Sequence, residues 1–131
     1  MVGSAMAADL SKNNNLFLAD YDLEALKKIK SKDPHIQISQ LDVTDDESLA
    51  RWIEPADIVL LAVPGFLGYN ALKTIINSGK NVVDISFSPE NVLDLSPLAK
   101  EKGVTVIVDA GVAPGIPNYL LGYWDAQLNI E

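Results

Sequence analysis

No cysteine occurs in the 131 residues, so disulfides and thiolate metal sites are excluded and a reducing compartment is permitted. Basic residues are scarce: ten lysines and arginines stand against 18 acids, a formal charge of -8. Nucleic acid and anionic membranes both attract basic patches, so neither is expected as a partner, and a small molecule is the natural ligand. No apolar run approaches the roughly 20 residues of a membrane span, and the N-terminus lacks the basic region and cleavage site of a signal peptide. A cytoplasmic location is the expectation. The single histidine, His35, follows Asp33-Pro34 at the start of a strand, the end away from a ligand crevice, which suits a surface residue better than a general base. Without histidine or cysteine beside them, the many carboxylates form no recognisable metal site, and no metal is expected.

What is present is an ordinary globular composition, 48% hydrophobic and 21% charged, in a length that makes one domain. Short apolar runs rich in β-branched residues fall at 16–19, 36–41, 58–63, 82–85 and 104–108. The third and fifth are apolar almost throughout, which predicts burial on both faces. Helical patterns fill the gaps at 4–12, 23–30 after Asp22, 45–53 after Thr44, 67–78 with Gly79 as its stop, and 98–102 before Gly103. Pro117 opens a last one. Thr44 with Glu47 reads as a capping box, and the cluster Asp45-Asp46-Glu47 suits a helix N-terminus. Strands alternating with helices predict an α/β fold, a doubly wound parallel sheet.

In such a sheet the ligand crevice lies at the carboxyl ends of the strands, and five places there carry signals. Met1-Val2-Gly3 runs into a small-residue helix without a preceding strand. Met1 and Val2 fit the variable positions and Gly3 the last glycine of G-x-G-x-x-G, although an ordinary helix start reads the same way. Asp20 lies 17 residues after Gly3, near the offset of the acid that binds an adenosine ribose. A carboxylate there repels a 2′-phosphate, so NAD is expected over NADP. The plainer alternative is a turn residue in Asp20-Tyr21-Asp22. Asp42-Val43 can meet an adenine edge while Thr44 caps. Val63-Pro64-Gly65 stops a strand and brings bare backbone to the crevice floor, or is simply a turn. The stretch from Val108 to Gly115 fixes an unusual backbone path at the nicotinamide end, or a rigid connection into the next helix.

Leu41-Asp42-Val43-Thr44-Asp45-Asp46, Val63-Pro64-Gly65-Phe66-Leu67-Gly68, Val83-Asp84-Ile85-Ser86-Phe87 and Asp109-Ala110-Gly111-Val112-Ala113-Pro114-Gly115 together resemble the saccharopine dehydrogenase and lysine dehydrogenase superfamily, over essentially the whole chain. The resemblance implies a Rossmann-like dinucleotide-binding domain of an amino-acid oxidoreductase, with a small amino-acid substrate. It puts Met1, Val2 and Gly3 at the pyrophosphate, Asp20 at the ribose, and Asp42 and Val43 at the adenine. Val63 and Pro64 line the cofactor's middle. Ile85, Ser86, Val112, Ala113 and Pro114 lie near the nicotinamide, with Ser86 and Phe87 close to substrate. Ala113 stands where saccharopine-handling members tend to carry an acid. That departure, with Gly122-Tyr123 and Ala126-Gln127-Leu128, points toward the lysine 6-dehydrogenase branch.

The family pattern also calls for a first strand with two further glycines and for a substrate domain, and residues 1–131 show neither. In the order 3-2-1-4-5-6 that strand is central, so two neighbours are left with unpaired edges, and a homodimer is expected. The chain alone is expected to bind NAD poorly and to turn over nothing. Tyr69-Asn70-Ala71-Leu72-Lys73 matches the Y-x-x-x-K of short-chain dehydrogenases but lies one crossover too early, so an exposed helix is the better reading. A non-catalytic module that senses a dinucleotide or assembles with another chain is the alternative to the oxidoreductase.

Overall fold

The computed structural model describes residues 2–128. Its elements alternate as expected: α1 (Val2–Leu10), β1 (Phe17–Asp20), α2 (Leu23–Lys30), β2 (Gln37–Gln40), α3 (Asp46–Ile53), β3 (Ile58–Leu61), α4 (Gly65–Asn77), β4 (Asn81–Asp84), a 3-10 turn (Val92–Leu95), α5 (Ser96–Lys102), β5 (Val106–Ile107) and α6 (Ile116–Leu128). The chain divides into two compact units, Met1–Ala56 and Asp57–Glu131.

In the first unit β1 and β2 pair in parallel, with Phe17 opposite Gln37 and Asp20 opposite Gln40. A parallel pair needs a crossover, and α2 supplies it. Asp22 starts that helix by accepting the amides of Glu24 and Ala25. Leu26, Ile36, Leu41, Leu49 and Ile53 form the buried core. Phe17 meets Trp52 edge to face, ring centroids 6.1 Å apart.

In the second unit the strands run in the order β3-β4-β5, all parallel. Helix α4 packs on this sheet through Ala71, Leu72, Ile75 and Ile76, a spacing that places all four on one face. The helix ends at Ser78, and Gly79 follows at φ 71°; Gly103 ends α5 in the same way at φ 67°. Both glycines meet the left-handed backbone that their helix ends require.

Three expectations are corrected. The third and fifth apolar runs are not buried on both faces: Ile58, Leu60 and Ile107 are 55%, 40% and 46% exposed. The reason is the alternation of a strand, since α4 covers only the face to which Leu61 and Val82 belong. Thr44 is not the cap of α3. Its hydroxyl donates to Asp42 Oδ1 at 2.7 Å, and Asp45 caps instead, accepting the Ser48 amide at 3.1 Å. The capping box is therefore replaced by an aspartate cap. Gly3 has nothing within 4 Å of where a Cβ would stand. Finally, α4 begins at Gly65 rather than two residues later, because Leu67 already donates to Pro64.

Leu72 is fully buried. Leu72→Ala is expected to cost about 2–5 kcal/mol, lost transfer energy plus the cavity left behind, and urea denaturation of the two proteins measures it.

Candidate functional site

The strand ends of the first unit are occupied by carboxylates engaged with their own turns. Asp20 Oδ1 accepts the amide of Asp22 at 2.9 Å. Asp42 Oδ1 accepts both the amide of Thr44 at 2.9 Å and its hydroxyl. These contacts, the hydroxyl first, hold the Asp42 carboxyl below its usual range, and the Ser48 hydroxyl and amide do the same for Asp45. Val43 beside them is half-buried, Val2 is exposed, and Met1 lies outside the described residues. His35 is exposed, as expected. It lines a water-sized cavity of about 40 Å³ with Ser11, Asn14, Asn15, Leu16, Asp33 and Ile36, where β1 and β2 begin.

The second unit brings its expected residues closer together. Pro64 precedes α4 without any side-chain cap, so the first turn of that helix presents bare backbone. Gly65 and Gly68 face the segment after β4: a Cβ on Gly65 would collide with the Phe87 carbonyl, and one on Gly68 with the hydroxyls of Ser86 and Ser88. Only glycine allows this approach. The Ile85 amide donates to Leu61 at 3.0 Å, which keeps the chain beside β3 as it leaves β4. Residues 109–115 are tied to the same place, for the Ala110 amide donates to the Asp84 carbonyl at 3.0 Å. Within that loop Asp109 has φ 53°, the Ala113-Pro114 peptide is cis, and Gly115 has φ 136° with the Gly111 and Asp109 carbonyls where a side chain would be. Val112 and Ala113 are exposed, Pro114 is half-buried, and Phe87 is 71% exposed beside the buried Ser86.

Asp84 is the residue that sequence reasoning missed. It is only 1% exposed, and its Oδ1 accepts the Ser86 amide at 2.8 Å. Its Oδ2 and the Ser86 Oγ, also buried, close no hydrogen bond of acceptable geometry. Burial raises the Asp84 carboxyl above the usual carboxylate range. The Ser86 hydroxyl and amide oppose that rise, and the Asp109 charge adds to it. The signal available in the sequence was an acid closing the apolar strand Val82-Val83, two residues before a serine. The pair Tyr69 and Lys73 is not brought to this place as a catalytic pair: Tyr69 is half-buried on α4 and Lys73 exposed. Among the described residues no group of three or more metal-binding side chains occurs, and no helix is long and apolar enough to cross a membrane.

A parallel α/β sheet with bare backbone, two close glycines and an unpartnered buried hydroxyl at its carboxyl ends is the arrangement of a dinucleotide-binding domain. The profile of the saccharopine dehydrogenase NADP binding domain matches residues 1–107, and the chain belongs to this family. It is 32% identical over 94 residues to a saccharopine dehydrogenase (NADP(+), L-glutamate-forming) of Pyricularia oryzae, covering 72% of this chain and 21% of that protein. It is 31% identical over 85 residues to an alpha-aminoadipic semialdehyde synthase of Arabidopsis thaliana, covering 65% of this chain and 8% of the relative. Apo saccharopine dehydrogenase (L-Glu forming) from Saccharomyces cerevisiae superposes with a TM-score of 0.86 over 98% of this chain and 29% of that one, at 24% identity, which shows the shared fold. The chain thus spans about a fifth or less of the length of these curated relatives.

The family overturns the expectation of NAD: the domain is an NADP binding domain. The physical reason lies at Asp20, on which that expectation rested. Its carboxylate accepts the Asp22 amide and so serves the turn that starts α2. An acid at this offset marks the end of β1 and does not decide between the two dinucleotides.

Because the folded state binds the Asp84 proton more tightly than an unfolded chain does, stability is full below the usual value of 3.8 and declines as pH rises through the raised value. Asp84→Asn is expected to flatten that decline and to leave the chain more stable above it. Urea unfolding of both proteins at a series of pH values checks this; an unchanged pH profile would show that Asp84 ionises normally.

Proposed function

We propose that this chain is the NADP-binding part of an amino-acid oxidoreductase of the saccharopine dehydrogenase type. The observation that carries the reading is the buried Ser86 hydroxyl, which closes no hydrogen bond of acceptable geometry, beside the uncapped first turn of α4, where Gly65 and Gly68 carry no side chain. Leaving a buried hydroxyl unpaired costs about 1–3 kcal/mol, a cost that a ligand amide or hydroxyl reaching it would recover. The chemistry of these residues therefore fits a dinucleotide.

Val63 and Pro64 are assigned to the cofactor's middle, and Ile85, Ser86, Val112, Ala113 and Pro114 to the nicotinamide. Phe87, exposed beside Ser86, is assigned to the substrate. In the first unit Val2 and Gly3 are assigned to pyrophosphate, and Asp20, Asp42 and Val43 to the adenosine. When bound, the cofactor supplies hydride exchange with a substrate carbon that carries nitrogen. The chain's own share is positioning: Gly65 and Gly68 admit the approach, Asp84 fixes the Ser86 amide, and Ser86 offers its hydroxyl. The substrate is kept to the amino-acid class, since Ala113 stands where an acid would mark a saccharopine-handling member.

Gly68→Ala tests this reading, because its methyl group would push the Ser86 hydroxyl aside. Loss of one hydrogen bond, about 1 kcal/mol, predicts roughly five- to tenfold weaker NADPH binding. Fluorescence titration of NADPH measures it, with circular dichroism to establish that the fold is kept. Equal affinity in the two proteins would remove Ser86 from the site, and no binding by the parent would leave the family likeness a matter of fold.

A further inference from the structure

Every residue of α6, from Ile116 to Leu128, is exposed. A helix of 13 residues is marginal by itself in water, because most helical stability in proteins comes from packing an apolar face. Such a face is present. Asn118 and Asp125, seven residues apart, share one narrow strip, and Gln127 near the end is the other polar side chain. Tyr119, Leu120, Leu121, Tyr123, Trp124 and Leu128 occupy the broad remainder, each between 49% and 66% exposed. Tyr123 and Trp124 already meet edge to face, ring centroids 5.3 Å apart, as suits the aromatic centre of a contact.

Charge and area together decide what fits this face. The chain carries a formal charge of -8, so two copies repel one another over most of their surface. On α6 the repulsion is least, since Asp125 is the only charged residue from Ile116 to Leu128. A strongly basic or acidic partner would find almost nothing there to pair with, whereas an uncharged apolar face is its own complement about a two-fold axis. The apolar face of the β3-β4-β5 sheet is less suited, for Asp57 immediately precedes β3 and Asp109 stands two residues after β5. The six side chains on α6 expose on the order of 100 Å² each. Two copies meeting there would bury on the order of 1,200 Å², which clears the roughly 1,000 Å² of a specific interface and lies near the lower end of that range.

We propose that α6 is a self-association surface, on which a second copy of this chain docks through its own α6. The contact is independent of the dinucleotide reading. With so small an area it forms and dissociates at concentrations on the order of micromolar.

Sedimentation velocity of the full chain over about 1 to 500 µM, with light scattering for the mass, tests the proposal. The expected result is a monomer at the bottom of the range and a dimer at the top. Added salt should strengthen the dimer, because it screens the repulsion between two acidic chains. Trp124→Ala should weaken association at least about tenfold, and Leu121→Glu, which sets carboxylates on both contact faces, should leave a monomer throughout. Neither side chain is buried within its own chain, so both variants should keep the fold, which circular dichroism establishes. Ile58→Glu, on the sheet face, should leave association unchanged. A monomer at every concentration would overturn the proposal and leave α6 to a partner of another kind. A dimer that salt weakens, that survives Leu121→Glu, or that Ile58→Glu abolishes would overturn it equally.

Discussion

Helix α4 can lie against the end of β4 only because Gly65 and Gly68 have no side chains, and most of what this chain offers a ligand depends on that approach. Behind those glycines the helix is anchored by Leu72, Ile75 and Ile76, each fully buried, so its first turn is carried to the segment after β4 by packing that begins a turn later. Burial of side chains this size is worth about 1.5–3 kcal/mol each, enough to hold a helix start that has no side-chain cap. The result is a bare helical turn facing Ser86 and Ser88.

Burial also separates the acids of this chain into two kinds. Asp20, Asp22, Asp42 and Asp45 stand at or just after strand ends, exposed, and accept amides or hydroxyls of their own turns. They shape backbone, and the contacts of Asp42 and Asp45 hold those two carboxyls below their usual range. Asp84 has the same kind of contact, to the amide two residues on, but lies inside the unit, where water does not offset its charge. One local pattern, a carboxylate closing an Asx-type turn after a strand, yields opposite electrostatic behaviour according to its depth.

The distribution of apolar surface adds a second constraint. One face of the β3-β4-β5 sheet carries α4, and the other leaves Ile58, Leu60 and Ile107 in contact with solvent. Helix α6 has no buried residue and exposes Tyr119, Leu120, Leu121, Tyr123 and Trp124. A chain that spans about a fifth or less of its curated relatives' length shows in these residues surface that its own described fold does not cover.

The order of strands and helices was legible in the residues themselves, because β-branched runs and helical spacing alternate and because Asp22, Gly79 and Gly103 mark helix ends by local chemistry alone. The family, too, was legible, in the stretches around Pro64, Ser86 and Pro114. The identity of the cap on α3 was not: Thr44 and Asp45 are both good caps, and the choice fell to whichever side chain the preceding turn left free. Nor was the choice of dinucleotide, since an aspartate at the end of β1 has the same spacing whether it meets a ribose or the Asp22 amide. Short-range preferences depend on neighbours in sequence, and these the chain determined by itself. Whether Ile58 meets a helix or water, whether Gly68 touches a serine, and whether Asp84 is a surface acid or a buried one depend on residues distant along the chain, so only the tertiary structure decided them.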